Sequence, residues 1–190
     1  VSSRPTRRAV LTAALAAPSV AAAWSPFATV LPDAPLLDHR RRPWRFRSEA
    51  MAQCPVIALD LIYAGCTSIC PLSTRVMAEA RSLLGDEAVG PLRYLSLTLD
   101  PDADTPERLA EYAAAAGVAE ADNWLFLTGT RRDVAAILRA LRARFARPDD
   151  HAPVFFVGEG RIPRLQQLFA IPPPEELAAE LRRLWHGSRG

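Results

Sequence analysis

Lysine is absent from the 190-residue chain: all 23 basic residues are arginine. Compositional bias explains this, together with the abundant alanine, without any functional cause. Cysteine is scarce, with three in all. An odd number excludes a fully paired disulfide framework and leaves at least one thiol free, metal-bound or joined to another molecule. No internal period of repeat length occurs, which excludes a solenoid. Aromatics are few, and proline and glycine show neither the disordered nor the fibrous pattern. No uncharged apolar run reaches the roughly 20 residues of a spanning helix. What remains, at 49% hydrophobic, is one domain with a sizeable core, too short for two.

The basic excess lies at the start. In "SSRPTRRAVLTAALAAPSVAAAWS", Arg4, Arg7 and Arg8 precede an uncharged, alanine-rich run from Ala9 to Ala23 that ends in small residues. This is the layout of an export signal, and Thr6, Arg7 and Arg8 resemble a twin-arginine motif. The expected organisation is an export signal over 1–23, removed after Ala23, a linker or arm over 24–35, and one domain over 36–186. Membrane association is expected only if the signal stays uncleaved. Without the three signal arginines, 20 basic residues face 21 acidic ones, and nothing asks for nucleic acid. Export also places the cysteines in an oxidising periplasmic or extracytoplasmic compartment.

"LLDHRRRPWRFR" reads as a hairpin. Its five arginines, interleaved with Trp44 and Phe46, form either a docking patch or, preferably, a solvated turn whose aromatics reach the core. "PVIALDLIYAG" (55–65) is a buried central strand interrupted by Asp60, and Pro71 opens a helix stopped by Gly85. "LRYLSLTLD" alternates as a strand, followed by a helix with Asp104 or Thr105 as cap, Pro106 at its first position and Gly117 as stop. "NWLFLTG" is a strand, "TRRDVAAILRALRARF" an amphipathic helix, "APVFFVGEGRI" a hairpin around Gly158 to Gly160, and "PPPEELAAELRRLW" a closing helix. Strands alternating with helices give a mixed α/β sheet flanked by helices on both faces, with an N-terminal hairpin or arm.

"YAGCTSICPLS" carries the chemistry. Cys66 leaves the central strand and Cys70 enters the following helix, at the carboxyl end of the sheet where open α/β folds bind ligands. A helix amino terminus favours thiolates, and residues four apart share a face. The pair can serve as a redox switch, a metal clamp or, least well, two core residues. His151, just before a strand, can reach the same end of the sheet, and two thiolates with an imidazole suit copper. His39 and His186 are expected to be solvated.

Three segments together resemble the Sco/SenC family, copper-handling proteins with a thioredoxin-like fold: "LIYAGCTSICP", "SLTLDPDADTPERLAEYA" and "DDHAPVFFVGEGRI", with "WLFLTG" between the last two. The resemblance runs from about Leu36 to Leu184. It implies that Cys66, Cys70 and His151 bind copper, Cu(I) or Cu(II). It also implies delivery to a copper-accepting respiratory enzyme, such as the copper A subunit of cytochrome c oxidase. The loop from Asp100 to Asp104 resembles the acidic loop beside the family's metal site, which implies that these residues dock a partner or support the metal ligands; a charged helix cap explains Asp104 equally well. The stretch between Phe145 and His151 is shorter than expected of relatives. Cys54 has no counterpart and is expected as a buried free thiol at a strand edge. The alternative function is a thiol-disulfide oxidoreductase in which Cys66 and Cys70 are the redox-active pair acting on a partner's cysteines; a peroxidase ranks third. His151 discriminates, because a copper site needs it and thiol exchange does not.

Overall fold

The computed structural model describes residues 24–86, 90–143, 152–161 and 164–188; the expected export signal and His151 lie outside the described residues. In chain order the elements are β1 (Ser25–Ala28), β2 (Pro35–Asp38), β3 (Pro43–Arg45), one stretch of π-helix (Phe46–Met51), β4 (Val56–Ile62), α1 (Ile69–Leu84), β5 (Leu92–Thr98), α2 (Pro106–Ala115), β6 (Trp124–Thr128), α3 (Arg131–Ala140), β7 (Phe155–Glu159), β8 (Arg164–Leu168) and α4 (Pro174–Gly187). The strands form one mixed sheet in the order β1-β8-β7-β4-β5-β6-β2-β3. β4 is central, parallel to β5 and antiparallel to β7. Both its edges and both its faces are covered, which is why its apolar run has no polar alternation beyond Asp60.

The two-residue period of the strands sorts the core into two layers. Val56, Ala58, Ile62, Tyr94, Trp124, Phe126, Phe155 and Val157 point to the layer under α1, α2 and α4. Ile57, Leu59, Leu61, Leu95, Leu97, Leu125 and Phe156 face the layer closed by α3 and the π-helix, where Phe46 and Met51 are fully buried. Helices therefore cover both faces, as expected. β4 and β5 run parallel and lead into α1 and α2, so the loops at their carboxyl ends are where chemistry can be carried.

Several sequence expectations change in detail. The segment read as a linker contains β1, which pairs antiparallel with β8 and buries Phe27 edge-on to Phe156 at 5.2 Å between ring centroids. Its alternation is too short to read without its partner strand. Gly158 is not in the turn of the late hairpin but within β7, paired with Leu165. A Cβ there would come within 2.1 Å of the Arg164 carbonyl oxygen, so close approach of backbone selects glycine. The β2–β3 hairpin forms as expected, and its arginines decorate a turn organised by the buried Asp38. That carboxylate accepts from the Arg40 and Arg42 amides, Arg42 Nε and Trp44 Nε1 at 2.8–3.0 Å. Phe46 reaches the core, as the solvated-turn reading holds.

His39 is a correction. Rather than solvated, it is 6% exposed, because its ring packs edge-on to Phe126 and its Nδ1 accepts from the Phe126 amide at 3.4 Å. Burial holds its pKa below the ordinary value, seconded by the Arg40 charge. His186 is exposed near the end of α4, as expected.

Candidate metal and redox site

The site grows from the exit of β4. After Ile62 the chain makes a tight turn in which the Cys66 amide donates to the Tyr63 carbonyl at 3.1 Å. It then enters α1 at Ile69, two residues before the proline expected to open it, so Cys70 lies in the first helical turn. No side chain of the N-cap residue, Ser68, caps this helix. The Cys66 sulfur takes that place, accepting the Cys70 amide at 3.4 Å, with the Ser68 hydroxyl 3.9 Å away. The orphan donors of a helix amino terminus thus converge on one thiol.

The two thiols are unequal. Burial pushes Cys66 up, but the Cys70 and Ser68 amides and the Cys70 and Ser68 side chains outweigh it and bring the thiol down to about 7. Cys70 moves the opposite way: burial first, then its own donation to Cys66, raise it well above the ordinary range. Near neutral pH Cys66 is therefore partly ionised, while Cys70 keeps its proton. Both cysteines, and Cys54, are buried thiols outside any disulfide. Cys54 lies at the opposite end of β4 and does not join the site.

The acidic loop approaches the cysteine turn through one residue. Asp104 is buried and accepts the Ala64 amide on both carboxylate oxygens at 3.1 Å, and the Thr98 hydroxyl at 2.6 Å. It does not cap α2. That role belongs to Thr105, whose hydroxyl accepts the Arg108 amide at 3.4 Å. Asp104 instead ties the loop after β5 to the segment leading into Cys66. Asp100 turns outward and is half-buried, its amide bonded to the Thr98 hydroxyl at 2.9 Å. Among the described residues no group of three or more His, Cys, Asp or Glu side chains could hold a metal ion, and His151 lies outside them.

Sequence reasoning missed several contributors. Ser68 was visible as a hydroxyl between the cysteines, but its role depends on the helix start. Thr98 and the Thr74–Tyr112 hydroxyl pair, 2.9 Å apart between α1 and α2, left no local signal. Asp60, seen as an interruption, is 1% exposed on the face under α1, with no hydrogen-bond partner for either oxygen. Burial lifts it to about 7, only partly offset by the Ser96 hydroxyl nearby, which falls short of hydrogen-bond geometry.

The family model described as SCO1/SenC matches residues 40–185. The chain belongs to the SCO1/SenC family. A curated relative from Bacillus subtilis, "SCO1 protein homolog", is 37% identical over 70 residues, spanning 37% of this chain and 35% of that one; the match covers about a third of the relative's length. Among solved structures, BsSco, described as a member of the Sco family of cytochrome c oxidase assembly proteins with a disulfide switch, superposes with a TM-score of 0.70 at 21% identity. That superposition covers 85% of this chain and 96% of the other. ScoI from Bradyrhizobium japonicum, described with copper bound, gives 0.66 at 20% identity over 82% and 99%. These two likenesses establish the thioredoxin-like fold of this SCO1/SenC chain. No described helix is long and apolar enough to cross a membrane.

Proposed function

We propose that this SCO1/SenC protein is an extracytoplasmic copper chaperone that holds copper through Cys66, Cys70 and His151 and delivers it to the copper A site of cytochrome c oxidase or a similar copper enzyme. The observation that carries the reading is the helix-capping Cys66 thiol, lowered to about 7 beside Cys70 at the carboxyl end of the central strand. A soft, readily formed thiolate suits Cu(I), and an imidazole adds affinity for Cu(II). The copper-bound ScoI structure supports the same cargo. Cys70 gives up its proton on loading, so uptake is coupled to pH. Asp104 keeps the turn before Cys66 in place, and the export signal supplies the periplasmic address. Titration of the reduced protein with Cu(I) and Cu(II), beside His151→Ala and Cys66→Ser, tests this. One copper per chain is expected, weakened by both substitutions; binding untouched by His151→Ala would sink the three-ligand site.

A second reading, thiol-disulfide exchange, is favoured by the inequality of the two thiols. The Cys66 thiolate attacks a partner disulfide, releasing one partner thiolate. Cys70, once deprotonated, then attacks the Cys66 sulfur and releases the second, leaving the partner reduced and the Cys66–Cys70 pair oxidised. Efficient disulfide reduction without copper binding would make this the principal activity.

A further inference from the structure

α1 packs closely on α4 and meets α2 at the Thr74–Tyr112 hydroxyl pair. Between α1 and α2 the surface opens into a groove of about 760 Å³, lined along its length by Cys66, Pro71, Arg75, Leu83, Tyr112 and Ala115. Its floor is tied by the Thr74–Tyr112 hydroxyl contact, and Leu83, at the far end, is 50% exposed. From Pro71 to Leu83 the helix rises about 18 Å, room for five or six residues of extended chain at roughly 3.3 Å each. Arg75 is exposed within it and makes no ion pair among the described residues.

We propose that this groove seats, in extended form, the segment of the copper-accepting protein that carries its own thiolate ligands. The inference rests on the copper-chaperone reading. A recipient that takes Cu(I) from thiolates must offer thiolates of its own, and its sulfur has to arrive beside the Cys66 sulfur, which is itself part of the groove wall. The recipient chain flanking that sulfur then runs along the surface continuous with Cys66. Here that surface offers Ala115 and Leu83 to apolar side chains and is lined by charges of both signs, Arg75 with Glu79 and Glu175; Arg75, one helical turn nearer Cys66 than Glu79, is placed for a carboxylate one or two residues from the incoming thiolate. Groove and transferring atom form one surface, which distinguishes this face from an exposed apolar patch elsewhere.

The test compares wild type with Ala115→Arg, which fills the groove, and Arg75→Glu, which reverses its charge. Neither residue touches the thiols. Each protein is loaded with Cu(I) and mixed with the apo soluble copper A domain of an oxidase, and in parallel with a small copper chelator. The expected result is unchanged copper stoichiometry and unchanged loss to the chelator, with transfer to the copper A domain slowed about tenfold by either substitution. Transfer by Ala115→Arg at the wild-type rate would overturn the docking site while leaving the chaperone reading intact. So would a self-association of wild type that Ala115→Arg abolishes, which would assign the groove to a second copy, whereas a loaded wild type that gives nothing to the copper A domain fails the underlying delivery reading. Failure of wild type to bind copper at all is the separate failure of the underlying reading.

Discussion

The Cys66 thiol reaches a pKa of about 7 because donors around the start of α1 outweigh its burial, while Cys70, deeper and donating to Cys66, keeps its proton. Alkylation of the reduced protein should therefore rise with a midpoint near pH 7 and belong to Cys66: mass mapping should find the label there, and Cys66→Ser should remove the neutral-pH phase. Asp60 makes a second prediction. Its folded pKa is raised, to about 7 from 3.8, so below pH 4 both folded and unfolded chains hold the proton and the group costs nothing. Between about pH 4 and 7 the unfolded chain ionises first, and stability falls with rising pH by up to about 4 kcal/mol. In urea unfolding, wild type should lose more stability from pH 5 to pH 7 than Asp60→Asn. Equal losses would mean that the carboxyl is hydrated or paired.

At the scale of elements, the loop after β5 and the entry to α1 are held together by Asp104, and α2 is started by Thr105. The two roles predict different costs. Thr105→Ala removes a cap and should cost about 1 kcal/mol. Asp104→Ala leaves the Ala64 amide and the Thr98 hydroxyl without their acceptor and should cost about 2–3 kcal/mol, and it should also broaden the pH profile of Cys66 alkylation as the turn loosens. Urea denaturation of the two variants separates the roles: equal losses would return Asp104 to a simple cap. α1 itself illustrates a trade between element and site, since the sulfur that caps it is the atom required for reaction.

For the whole molecule, the segment before β2 belongs to the fold. A chain beginning at Trp24 should melt like the longest form. One beginning at Pro35 loses β1, uncovers the edge of β8 and the ring of Phe156, and should lose about 3 kcal/mol or more and aggregate; equal melting temperatures would restore the linker reading. The sequence alone carried the order of strands and helices, because hydrophobic period, proline and glycine act within a few residues. It also carried the cysteine turn, whose chemistry follows from a strand-to-helix junction. Three decisions were left to the tertiary structure. His39 is buried because Phe126, 87 residues away in sequence, receives it; Asp104 ties rather than caps because Ala64 lies 40 residues off; and β1 is a strand because β8 is there to pair with it. Local propensity fixes what a segment can become, but burial, register and hydrogen-bond partners between distant segments exist only once the sheet has brought them together.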